Sequence, residues 1–152
     1  MRAAALGLPL TLAVALAGCT PPRSAGEARR YYDEHLASQT VPLLQAAIHF
    51  PTVQGNVVAR DAQQLWLMKT AAAMGFTARD AGKFVEIDLR GPAGAPVLGL
   101  VVHGDVQPVE AKAWSIPPFE GVTKDGFVLG RGAADDKGPL VQALLAMKAL
   151  ER

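Results

Sequence analysis

The amino-acid sequence predicts an α/β architecture, a mixed sheet flanked by helices, over residues 29–152. Three observations carry that expectation. Apolar residues recur at helical spacing over 28–49 and 58–74. They alternate over 85–89 and run unbroken over 97–102, at lengths that suit strands. A hairpin-like stretch and a proline-opened helical pattern then complete a helix, strand, strand, hairpin, helix order.

The elements follow in chain order. Ala28, Tyr32 and Leu36 are spaced by four, and Leu43, Leu44, Ala47 and Ile48 continue as a second helical piece. Pro42 fits the first turn of that piece, where a missing N–H costs nothing. Residues 49–55, with Pro51, form a loop. Ala62, Leu65, Trp66, Lys69, Ala72 and Ala73 mark the next helix, and Gly75 stands where a left-handed cap is expected. Val85, Ile87 and Leu89 alternate with Glu86, Asp88 and Arg90, the pattern of a half-buried strand. After a turn at 91–95, Val97-Leu98-Gly99-Leu100-Val101-Val102 predicts a strand buried on both faces. Residues 120–123 and 127–129 read as a hairpin around Lys124-Asp125-Gly126. Pro139 opens the last helix, with Leu140, Val141, Leu144, Leu145 and Met147 on its apolar side. That helix reaches Arg152 without a cap or closing strand, so the expectation is a domain incomplete at its C-terminus.

Charge is nearly balanced, with 15 Lys and Arg against 14 Asp and Glu in 152 residues. A nucleic-acid partner would call for a basic face, and none is evident. The single cysteine, Cys19, rules out an internal disulfide. Its setting is informative. Met1-Arg2 begins a short apolar stretch over 3–16, which is too short to span a bilayer. It ends in Leu16-Ala17-Gly18-Cys19. This has the form of a secretory signal peptide, and its ending resembles a bacterial lipoprotein signal whose cysteine is lipidated. An ordinary signal peptide with an incidental cysteine is the alternative. The expected organisation is a signal peptide at 1–18, a tether at 19–28 and a catalytic-domain portion at 29–152. The lipoprotein reading implies export and a lipid anchor in the outer membrane, facing the periplasm.

Two clusters could carry chemistry. His103-Gly104-Asp105 ends the apolar run, and in extended backbone residues i and i+2 point the same way. A metal-bound histidine needs its second ring nitrogen held, commonly by a carboxylate. A hydrogen-bonded surface pair is the competing reading. The second cluster is Gly130-Arg131-Gly132-Ala133-Ala134-Asp135-Asp136-Lys137-Gly138. Adjacent carboxylates before a helix suit a divalent cation, and they also suit a helix N-terminus. A phosphate loop does not fit, because Asp136 precedes the lysine where glycine is needed and Gly138 follows it where Ser or Thr is needed. A dinucleotide loop fails at Asp135, which occupies a glycine position.

Taken in order, His103-Gly104-Asp105-Val106-Gln107-Pro108, Trp114, Pro117-Pro118-Phe119, Lys124-Asp125-Gly126 and the 130–139 loop strongly resemble the M20 peptidase family. That family includes carnosinase-type dipeptidases, glutamate carboxypeptidases and aminoacylases. Gln107 departs mildly from its pattern. The resemblance implies a zinc-exopeptidase-like catalytic domain with two divalent metal ions, zinc foremost. It implies that His103 is a metal ligand, that Asp135 is a carboxylate bridging both metals and followed by a cis peptide, and that Asp105 orients His103 as part of the catalytic apparatus. Asp136 is then a neighbour and not a ligand. Trp114, Pro117, Pro118 and Phe119 read as packing residues, and His35 and His49 match no ligand position. The implied reaction is hydrolysis of peptide or N-acyl amino acid substrates. The family's general base lies downstream of the position of Asp135, and after Asp136 this sequence offers the single carboxylate Glu151, which does not match it. This chain alone is therefore expected to be inactive. A non-enzymatic, lipid-anchored remnant or binding module is the alternative.

Overall fold

The computed structural model describes residues 23–151. The stretch expected to be a signal peptide, Cys19 and the first part of the expected tether lie outside the described residues. Helix α1 (Ala25–Tyr31) begins inside the stretch expected to be tether. The reason is local: Ser24 accepts from the Glu27 N–H and the Glu27 carboxylate accepts from the Ser24 N–H, a reciprocal capping box. The chain then loosens through a π-helical turn (Tyr32–Leu36) and a 3-10 turn (Ala37–Gln39) before α2 (Thr40–Ile48).

Helix α3 (Val57–Ala73) is capped by Asn56, whose side-chain oxygen accepts from the Ala59 N–H at 3.1 Å. Its buried positions are Ala59, Gln63 and Ala71, with Trp66, Leu67 and Met74 packed on the core beside them. Leu65 is 53% exposed, so the inner face is rotated from the residues that mark the helix in sequence. An alanine-rich helix has apolar side chains on several faces, and packing decides between them. Gly75 has φ +91 and donates to Ala72 O at 2.9 Å, while Phe76 donates to Ala71 O at 3.0 Å. This is the expected left-handed cap in its Schellman form.

Among the described residues the strands form two antiparallel pairs. β1 (Thr77–Asp80) pairs with β2 (Val85–Asp88), and β3 (Val122–Lys124) pairs with β4 (Phe127–Leu129). β1 has no apolar alternation and was not legible in the sequence; it forms because the 81–84 turn folds it back onto β2. The second hairpin lies where the Lys-Asp-Gly signal placed it, with both Asp125 (φ 53) and Gly126 (φ 81) left-handed.

The 97–102 segment corrects the expectation of a buried strand. It has no ladder, and Val97, Leu98 and Val101 are 96%, 85% and 98% exposed. A strand is buried only when neighbours satisfy its backbone and cover its faces, and neither hairpin pairs with it. The α/β character stands, but the sheets are two small antiparallel pairs rather than one mixed sheet. The core lies instead between the helices. Leu140, Val141, Leu144 and Leu145 of α4 (Lys137–Leu150) are buried with Leu36, Ala47, Ala71 and Phe76. Among the described residues no helix is long and apolar enough to cross a membrane.

Candidate metal centre

Two loops meet at the site. The first is 103–106, following the extended apolar run. The second is 130–136, leading from β4 into α4. Both are fastened to one short segment, residues 47–52 at the end of α2. Thr52, only 3% exposed, donates its hydroxyl to Gly104 O at 2.5 Å and accepts from the Val106 N–H at 3.1 Å. Lys137, fully buried, donates Nζ to Ala47 O at 2.8 Å and to Phe50 O. Its backbone N–H bonds Gly132 O at 3.0 Å. Burial pushes the Lys137 ammonium down from 10.5 to about 8. It is still cationic at pH 7, which suits the carbonyl-rich C-terminal end of α2.

His103 occupies the meeting point. Its Nδ1 lies 3.2 Å from the Asp105 carboxylate and 3.2 Å from the Asp105 carbonyl. Its Nε2 faces Asp135 Oδ1 at 3.1 Å. Asp105 can thus hold the proton on Nδ1, leaving the Nε2 lone pair directed at Asp135. Two ligand atoms about 2.0–2.1 Å from a tetrahedral zinc stand roughly 3.3 Å apart. The observed separation fits a shared metal with little adjustment. The Asp135–Asp136 peptide is cis, at the position where the family resemblance implies one.

The electrostatics follow the same geometry. Burial alone would lower the His103 imidazole, but the Asp105 carbonyl and carboxylate, with Asp135 and Asp136, outweigh it and raise its pKa above 6.5. An imidazole ringed by carboxylates is a setting for a cation. The side chains of His103, Asp105 and Asp135 are 50%, 77% and 87% exposed, so the site is open on one side. Among the described residues, no group of three or more His, Cys, Asp or Glu is arranged to hold a metal ion. His103 and Asp135 face one another here, with Asp105 behind the histidine.

Asp136 meets His103 at the backbone. Its Oδ2 accepts the His103 backbone N–H at 2.9 Å, so the structure gives this residue a contact the sequence did not suggest. Thr52 and Gln63 were also missed. Gln63 is buried against Gly104, and a Cβ on that glycine would fall 1.9 Å from Gln63 Nε2. A lone Thr in a loop and a lone Gln on a helix carry no sequence signal. The remaining histidines are elsewhere: His49 bonds Gln45 O at 2.7 Å, and His35 packs against Tyr31. Trp114 is half-buried under the Arg131 guanidinium. A cleft of about 520 Å³ runs beside 103–105, lined by Thr52, Gln63, Ile87, Leu100 and Leu144 among others. It is the gap left where the 97–102 segment stands off from β2 and α4.

Residues 99–152 match the profile of peptidase family M20/M25/M40. The chain is 45% identical over 51 residues to an N-fatty-acyl-amino acid synthase/hydrolase of Bos taurus, a match covering 34% of this chain and 10% of that protein. It is 39% identical over 84 residues to a succinyl-diaminopimelate desuccinylase of Marinobacter nauticus, covering 53% and 22% respectively. It is 35% identical over 86 residues to a Staphylococcus aureus protein that carries a dipeptidase name, covering 57% and 18%. The chain therefore spans between a tenth and a quarter of the length of these relatives.

Proposed function

We propose that this chain, whose residues 99–152 match the profile of peptidase family M20/M25/M40, contributes a His103–Asp135 ligand pair to a metal-dependent hydrolase of peptide or N-acyl amide bonds. The observation that carries this reading is the orientation of His103: Nδ1 is held by Asp105 while Nε2 faces Asp135 at 3.1 Å. A divalent metal held there would polarise a carbonyl and acidify water. His103 and Asp135 would hold it, Asp135 serving as the bridge where two ions are bound. Asp105 would hold the proton on Nδ1 and keep the ring correctly turned. Zinc suits one nitrogen and one carboxylate oxygen.

Glu151 is not the general base. It pairs with Lys148 and lies about 22 Å along α4 from Asp136, at 1.5 Å per residue. The relatives' names speak of N-fatty-acyl amino acids, succinyl-diaminopimelate and dipeptides. The substrate class we infer is their shared feature, an acyl group on the nitrogen of an amino acid.

The test is hydrolysis by the full-length protein of a panel of dipeptides and N-acyl amino acids. Activity should vanish with a chelator and return with zinc. Hydrolysis indifferent to the chelator would refute the metal role. Tight zinc binding without turnover of either class would favour the binding-module alternative.

We also propose that Cys19 is the lipidated N-terminus of an exported protein anchored in the outer membrane and facing the periplasm, on the strength of Leu16-Ala17-Gly18-Cys19 closing an apolar stretch. Two anchoring chains hold a protein stably at a membrane where one does not. Fatty-acid labelling in a bacterial host should mark the wild type and not Cys19→Ala, and the variant should leave the membrane fraction. Equal labelling of both proteins would overturn the assignment.

A further inference from the structure

We propose that Asp136 is a positioning residue: it grips the backbone of His103 and thereby sets the spacing between His103 and Asp135. The inference rests on the metal-site reading above but on a different contact. Consecutive residues hold the same histidine at two ends. Asp135 Oδ1 stands 3.1 Å from the ring nitrogen Nε2, and Asp136 Oδ2 accepts the main-chain N–H at 2.9 Å.

The two loops need such a link. The 103–106 loop is fastened by Thr52 at its Gly104 and Val106 backbone. The 130–137 loop is fastened by Lys137 to Ala47 O and Phe50 O. Each loop is thus held to residues 47–52, but those bonds leave the segment before Gly104 free to swing. The residues preceding it, 97–102, are extended and unpaired in any ladder. The Asp136–His103 bond spans the gap directly. Its acceptor is stiffened in turn, because the Asp136 carbonyl receives the Leu140 N–H at 2.9 Å, the first bond of α4. Loss of a supporting residue around a metal ligand commonly weakens metal binding by about 10–100-fold.

The discriminating feature is that the bond needs an acceptor and not a charge. Asn keeps an oxygen in the same place, and Ala does not. The experiment compares wild type, Asp136→Asn and Asp136→Ala in the full-length protein with two readouts. One is zinc affinity by titration, and the other is amide hydrogen exchange at His103 in the metal-free protein. The expected result is slow exchange at His103 in wild type and Asp136→Asn, and exchange about tenfold faster or more in Asp136→Ala. Zinc affinity should fall about 10–100-fold in Asp136→Ala and stay within about threefold of wild type in Asp136→Asn. Equal impairment of both variants would mean that the charge or direct ligation matters, and would overturn the proposal. Unchanged exchange in Asp136→Ala would overturn it as well. Failure of the wild type to bind zinc would defeat the metal-site reading instead, and the exchange pattern would still decide whether Asp136 holds His103.

Discussion

Replacing His103 or Asp135 with alanine is expected to lower zinc affinity by well over about 100-fold, beyond the 10–100-fold typical of a lost supporting residue. The expectation follows from the small donor set. Two side chains on this chain face one another at 3.1 Å, and removing either leaves one. Asp105→Ala should cost less, about 10–100-fold, since it acts only by holding Nδ1. The order His103→Ala and Asp135→Ala far below Asp105→Ala is the measurable claim, read by zinc titration of the full-length protein. Unchanged metal content in both ligand variants would refute the assignment. The pH dependence has a definite sign. The imidazole must lose its proton to bind metal, and its pKa is raised above 6.5 because Asp105, Asp135 and Asp136 outweigh the opposing effect of burial. Zinc affinity should therefore be steady above that raised value and fall about tenfold per pH unit below it, as protons compete for one nitrogen. The metal-free protein behaves in the opposite sense. A histidine whose folded pKa is raised stabilises the fold below its unfolded pKa of 6.5, and that stabilisation is lost as pH rises through the folded value.

The site was legible in the sequence to the extent that its residues carry local patterns. His103 and Asp105 stand two apart at the end of an apolar run, and that spacing alone directs both to one side of extended backbone. The Lys124-Asp125-Gly126 signal fixed a hairpin because only left-handed residues close a two-residue turn without splaying the strands. Leu140 to Leu145 showed their inner face because a leucine-rich stripe has one face to bury. What remained hidden depends on partners far along the chain. The 97–102 run is apolar enough to be a central strand, yet burial requires neighbours that composition does not specify. Thr52 meets Gly104 across 52 positions and Lys137 meets Ala47 across 90, contacts with no sequence period to betray them. Asp136 shows the same limit most sharply. Its neighbour's role dominates the motif, and its own contact with the His103 N–H appears only in three dimensions.

Gly132→Ala is expected to destabilise the fold by roughly 2–5 kcal/mol, and a companion substitution separates the two causes. Gly132 has φ +86, a conformation that costs an L-residue about 1–2 kcal/mol. A Cβ there would also stand 2.6 Å from Val106 Cγ1 and 3.2 Å from Lys137 Cδ. Both neighbours are buried, so neither can swing into solvent, and overpacking of this kind costs about 1–3 kcal/mol. Gly126 has nearly the same backbone, φ +81, but nothing lies within 4 Å of its would-be Cβ. Gly126→Ala should therefore cost only the backbone share, about 1–2 kcal/mol. Urea unfolding of the two variants, compared at equal m-value, measures the difference. A Gly132→Ala midpoint no lower than that of Gly126→Ala would mean that the wall formed by Val106 and Lys137 yields freely. The consequence reaches the metal centre, because Val106 belongs to the 103–106 loop and Gly132 to the 130–137 loop. A methyl group on Gly132, pressing on Val106 across the two loops, should push His103 and Asp135 apart, so zinc affinity should fall in Gly132→Ala and hold in Gly126→Ala, whose turn lies outside both loops.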